Sequence, residues 1–266
     1  MSTMTMEKVR HRQTAVGTRI PSTRIISVEL RKMFDTRSGF WLLMSVAISS
    51  VLATAAVILW APDSNLTYDS FAAAIGIPMS VILPMVAILS VTSEWTQRSG
   101  LSTFTLVPHR GRVISAKAVA TVMIAVGSMV VAMAIGALGN LVGTAITGTP
   151  TVWGVSFVQL SEIVLANVLG MLIGFMLGVL IRNSAGAIVG YFVFSLVLPG
   201  LSELLAASAS WWLDNRPWVD FSVAQAALFN GEMAAADWAH LATATGIWLV
   251  IPLVVGLRLM MRAEVK

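Results

Sequence analysis

The chain has 266 residues, of which 57% are hydrophobic and only 11% charged, with a formal net charge of +4. So few charges cannot cover a water-soluble globule of this length, in which about a quarter of the residues would be charged; the composition selects the bilayer class. Cysteine is absent, which excludes a disulfide framework, a thiolate metal site and a cysteine nucleophile.

Residues 1–39 contain no continuous apolar run, so no cleaved signal peptide is expected and the segment reads as cytosolic. Within it, STRIISVELRKMF places Ile26, Leu30, Met33 and Phe34 on one helical face, with Arg24, Glu29, Arg31 and Lys32 largely elsewhere. The spacing predicts an amphipathic helix over about 22–37, capped by Ser22 or Thr23 and ending before Gly39. Such a helix lies in the membrane interface, with membrane lipid as its partner and its basic groups near anionic headgroups. Its polar face is also free to bind a protein.

Residues 40–266 divide into six apolar stretches long enough to span a bilayer, at about 40–60, 71–91, 118–146, 162–181, 185–206 and 240–261. The fold class expected is all-α, a polytopic membrane protein of six transmembrane helices. Between the fourth and fifth spans only Arg182, Asn183 and Ser184 remain for a tight turn. With both termini in the cytosol, sixteen of the 17 Lys and Arg residues fall on the cytosolic side and Arg216 alone falls outside. That distribution sets the orientation. The acidic residues Asp63, Asp69, Asp214, Asp220, Glu232 and Asp237 fall in external loops, and Glu162 and Glu203 near external helix ends.

The cytosolic loop 92–117 contains SEWTQRSGLSTFTLVPHRGRVISAK from residue 93 onward. Glu94 and Arg98 stand at i, i+4, the orientation that supports a short helix. Trp95, Leu101 and Phe104 give it apolar surface, and Pro108 disfavours its continuation. His109 to Arg112 then form a basic turn, and helix resumes toward Lys117. The external loop 207–239 carries Trp211, Trp212, Trp218 and Trp238, suited to an interfacial belt, and 219–229 has the length and composition for a short interfacial helix. A structured plug against the bundle, with no ligand, is the favoured reading of that loop.

Small residues recur four apart at Gly139 and Gly143, at Gly170, Gly174 and Gly178, and at Gly186 and Gly190. They permit close helix approach, either packing within the bundle or a dimer seam. Pro78, Pro84, Pro199 and Pro252 lie inside spans, where each removes a backbone donor. No Asp, Glu, Lys or Arg stands deep in a span, which argues against a proton relay. Asn140 and Asn167 are the notable polar residues there, expected to bond between helices. The Met-rich, apolar interior suits a greasy cargo.

No phosphate-binding G-x-x-x-x-G-K-[ST] loop, H-E-x-x-H or G-x-S-x-G sequence occurs. His11, His109 and His240 are scattered and form no obvious metal set. No catalytic residue, metal site or cofactor is expected on this chain, and no nucleic-acid partner.

Together these features resemble the permease subunit of a type-2 ATP-binding cassette (ABC) exporter, the bacterial drug, antibiotic and lipid-export group. In that family an amphipathic N-terminal helix carries a Glu-x-x-Lys pattern, which stands here as Glu29, Leu30, Arg31 and Lys32. Its first cytosolic loop follows a pattern matched here by Glu94, Gly100, Leu106, Pro108, Arg110 and Lys117, with Ser99-Gly100-Leu101 departing from the Gly-Thr of many relatives. The resemblance implies that the loop is a coupling helix docking on a separate ATPase subunit. ATP and Mg would be bound by that partner, and a second permease chain, identical or not, would complete the pathway in the cytoplasmic membrane. A non-transporting membrane assembly or immunity protein and an ion-coupled carrier are the alternatives.

Overall fold

The computed structural model describes residues 21–96, 110–231 and 233–262. The described residues form helices α1 (Ser22–Asp35), α2 (Arg37–Trp60), α3 (Tyr68–Thr96), α4 (Arg110–Thr147) and α5 (Phe157–Ile181). They continue as α6 (Ser184–Ser208), α7 (Ser210–Val219), α8 (Phe221–Asn230) and α9 (Ala235–Arg262). Helices α2 to α6 and α9 are the 6 long and apolar enough to cross a membrane. Each contains one of the stretches read from the sequence. Among the described residues the nearest approach to a strand is a single bridge between Thr67 and Val152.

Helices α3 and α5 form the centre. Phe71, Met79, Leu83 and Ile88 of α3 and Met171, Ile173, Phe175 and Val179 of α5 are fully sequestered. Their crossing is close because Gly174 faces Pro84: a Cβ at position 174 would lie 2.6 Å from the Pro84 carbonyl oxygen. The absence of a side chain there lets two backbones touch, the main route to helix association where apolar burial gives no driving force. By contrast α2 and α6 are the least buried spans. Leu52 and Trp60 on α2, and Leu196 and Leu204 on α6, present bare apolar surface. A helix satisfies its backbone internally, so such faces are stable against lipid.

The turn between α5 and α6 is as short as the sequence demands. Arg182 adopts a left-handed conformation at φ 56° and ends α5. Asn183 caps α6, its Oδ1 accepting from the Gly186 amide at 2.9 Å.

The span prolines are absorbed in two ways. Pro78 and Pro84 lie inside an uninterrupted α3. In α6 and α9 the backbone widens into π turns at Val193–Val197 and Gly246–Val250, each ending two residues before a proline, Pro199 or Pro252. A proline ring crowds the carbonyl four residues back and leaves it without a donor; a wider turn relieves both.

The segment after α6 packs as a plug against the bundle, in line with the favoured reading of that loop. Helix α8 begins at Phe221, not Val219, because Asp220 caps it, with Oδ1 accepting from the Ser222 amide at 2.9 Å. Phe221, Ala224 and Leu228 are buried. Gln225 Nε2 donates to the Ala166 carbonyl of α5 at 2.7 Å, fixing the helix against the bundle. Helix α7 precedes it, and Arg216 there reaches Glu203 of α6 with both terminal guanidinium nitrogens, Nη1 and Nη2. That bond is the main reason the Arg216 guanidinium is held still more firmly protonated.

Candidate functional site

Helix α1 packs on α2 and on the first turns of α4. Its buried stripe is Ile25, Glu29 and Met33, spaced four apart. Of the apolar face expected from the sequence, Met33 belongs to this stripe, Ile26 and Leu30 are half-buried beside it and Phe34 is 53% exposed. A carboxylate thus lies between two apolar side chains on the face turned to the bundle. Lys117 lies opposite, on α4, and its Nζ donates to Glu29 Oε2 at 2.5 Å. Lys32, one turn along α1, donates to Glu29 Oε1 at 2.7 Å. Glu29 therefore has a cation on each oxygen. Burial alone would raise its carboxyl, but Lys117, by charge and hydrogen bond, and then Lys32 outweigh that and hold it below its ordinary value.

The two lysines differ in surroundings. Lys117 is buried at the α1–α4 contact, whereas the Lys32 side chain is 44% exposed. Arg31 points away and pairs loosely with Asp35 at 3.9 Å, both exposed. Near the start of α1, Arg112 Nη2 donates to Ser22 Oγ at 3.3 Å, a second tie between α1 and α4.

The start of α1 also differs from expectation. Pro21 stands at the cap position and no side chain caps the helix, so neither Ser22 nor Thr23 has that role. Helix α1 ends at Asp35, and Thr36 caps α2, its Oγ1 accepting from the Gly39 amide at 3.1 Å. Gly39 lies inside α2 and does not end α1. A Cβ there would collide with the Met33 carbonyl oxygen, so the sharp corner between the helices needs glycine.

Other features of the loop are placed only in part. Glu94 belongs to the last turn of α3 and Arg110 opens α4, and their side chains, with Arg98, Gly100 and Pro108, lie outside the described residues. At the same end, Thr92 Oγ1 and Ser184 Oγ are 2.7 Å apart, joining α3 to the start of α6.

The glycine pairs pack inside the chain. Gly139 faces Thr54 and Phe71, Gly143 faces Ile58 and Phe71, and Gly178 faces Val91 and Ile88. Gly186 and Gly190 face Ile181, and Gly170 lies near Gln225. The two span asparagines do not bond between helices. Asn167 Nδ2 donates to Ile163 of its own helix, and Asn140 Nδ2 to Val152 in the following loop, both at 2.9 Å. An interhelical bond in the spans comes instead from Tyr191, whose hydroxyl donates to the Ser80 carbonyl at 2.5 Å.

The arrangement ties an amphipathic helix to the base of a span through a buried ion pair. The signal for Glu29 was present in the sequence: it stands four from Ile25 and four from Met33, on an apolar stripe. Nothing in the sequence singled out Ser22 as a partner for Arg112, since that contact depends on how α1 lies across α4. Compared with known proteins, the sequence matches no family model and no curated protein.

Proposed function

We propose that this chain is the membrane-spanning permease subunit of an ATP-driven exporter of the type-2 ABC kind. In this reading it lies in the cytoplasmic membrane with both termini cytosolic. It moves a hydrophobic or amphipathic cargo (a drug, antibiotic, peptide or lipid) out of the cell. ATP and Mg are bound and hydrolysed on a separate ATPase subunit, and a second permease chain completes the pathway. The chain itself carries out no catalysis.

The observation that supports this reading best is the contact of Glu29 with Lys117. The two residues belong to the two separate motifs on which the resemblance rests, the N-terminal helix and the end of the coupling loop. A permease driven from outside the membrane needs its docking loop mechanically joined to its spans, and α1 buttressed on the first turns of α4 supplies such a joint.

The test is reconstitution with a candidate ATP-binding cassette ATPase subunit. Co-purification and cargo-stimulated ATP hydrolysis are expected, and charge reversal at Glu94 or Arg110 abolishes the stimulation. Cargo movement that ignores ATP hydrolysis, or normal coupling in the reversed variants, overturns the reading.

A further inference from the structure

We propose that a pocket between α6, α7, α8 and the π turn of α9 binds a hydrophobic organic cation, with an ammonium group held by aromatic rings and the Asp220 carboxylate. The cavity measures about 220 Å3 and its wall includes Phe194, Trp212, Phe221, Trp248 and Asp220. The Phe194 ring meets Phe221 at 5.7 Å and Trp248 at 5.5 Å between centroids, so three of these rings form one cluster. Both indole N–H groups are already used: Trp212 Nε1 donates to Ser202, at 3.1 Å, and Trp248 Nε1 to the Val219 carbonyl, at 2.7 Å. What the indoles offer a ligand is therefore π density, and the ligand class attracted to it is a cation.

Asp220 supplies the charge. Its Oδ1 accepts from the Ser222 amide and hydroxyl, while Oδ2 is buried without a hydrogen-bond partner. A desolvated carboxylate oxygen left unmatched is costly, and a cation in the adjoining space offsets that cost. The wall contains no Lys or Arg. Arg216 of α7 feels the charge of Asp220 but is engaged by Glu203.

Access and size complete the ligand class. Leu201 and Leu205 in the wall are exposed on the flank of α6, so an apolar molecule reaches the pocket from the bilayer. The volume falls below the roughly 300–1,000 Å3 of drug-sized sites, which fits an ammonium head with short substituents. A second cavity of about 230 Å3 shares Phe194, Phe221 and Ser222 with the first and can take a tail. The pocket does not depend on the exporter reading, since a non-transporting protein could hold it equally well.

The test uses the purified full chain in lipid nanodiscs, titrated with benzyltriethylammonium and with uncharged tert-butylbenzene, read by tryptophan fluorescence. Wild type is expected to bind the cation at least tenfold more tightly than the neutral compound. Asp220→Asn keeps the helix cap and is expected to lose at least tenfold for the cation alone. Should that variant fail to fold, Phe194→Leu takes its place, expected to weaken the cation by a larger factor than tert-butylbenzene. Equal binding of the two probes by wild type, no binding of the cation, or an unchanged cation affinity in the folded variant overturns the proposal.

Discussion

Glu29 and Lys117, 88 positions apart in the chain, form a 2.5 Å ion pair with side chains only 3% and 6% exposed. Two charges so desolvated stabilise the fold only while both are present. Removing Lys117 strips the cation from the buried Oε2 and leaves Lys32 alone on Oε1; breaking a buried pair costs up to about 3–5 kcal/mol, whereas replacing both partners by apolar groups is often neutral or better. Lys117→Met is therefore expected to lower the melting temperature sharply, and the double variant Glu29→Met with Lys117→Met to recover most of the loss. Lys32 can turn its half-exposed side chain to solvent in the double variant. A double-mutant cycle by thermal melting in detergent measures the coupling, and additive single effects would sink the assignment.

The same carboxylate makes stability depend on pH. Glu29 is held below its ordinary value of 4.5 in the folded chain. A depressed carboxyl binds its proton less readily folded than unfolded, so its contribution is complete above about 4.5 and is lost as pH falls through the lowered folded value. Acid melting of wild type should show this loss below pH 4.5, and Glu29→Gln should flatten the profile in that window. An identical acid slope in the variant would show that other carboxylates carry it.

These two residues also mark how far the fold and site were legible in the sequence. All six long apolar helices were, because a run of apolar residues is a one-dimensional signal that lipid reads directly. The orientation of α1 was not. Its hydrophobic face was assigned to Ile26, Leu30, Met33 and Phe34 with Glu29 largely elsewhere, and it is Lys117 on the neighbouring helix, with Lys32, that makes a buried glutamate tolerable. Asn167 was misjudged for a related reason: a polar group in a span can satisfy itself on its own helix, four residues back at Ile163. The π turns of α6 and α9 were foreshadowed by Pro199 and Pro252, but Pro78 and Pro84 give the same local signal inside a regular helix.

The α3–α5 crossing predicts opposite outcomes at two glycines. Gly174→Ala places a Cβ 2.6 Å from the Pro84 carbonyl oxygen and 2.9 Å from its Cα, and backbone cannot yield as a side chain would. A loss of about 1–3 kcal/mol is expected. Gly76→Ala on α3 meets nothing within 4 Å and should be neutral or stabilising by up to about 1 kcal/mol through helix propensity. Thermal melting of the two variants side by side checks this, and equal shifts would contradict the close crossing.

At the α5–α6 turn, Asn183→Ala removes the acceptor for the Gly186 amide. A lost cap costs about 1 kcal/mol, while Asn183→Asp should retain nearly all of it. Hydrogen exchange at the first turn of α6 gives the local readout: faster exchange is expected in the alanine variant only.

The proposed orientation is testable by chemistry because the chain contains no cysteine. Ser27 on α1, Ser64 after α2 and Asn215 on α7 are all exposed, so single cysteines at these positions report which side of the membrane each occupies. Positive residues resist transfer across the membrane, and with the termini inside, Arg216 is the one cation among 17 that must cross. In intact cells a membrane-impermeant maleimide is expected to label Ser64→Cys and Asn215→Cys, and to reach Ser27→Cys only after permeabilisation. The reverse pattern would invert the protein and place loop 92–117 where no cytosolic ATPase could dock. Labelling of Ser27 and Ser64 from the same side would mean that α2 does not cross at all, and the six-span reading would fall with it.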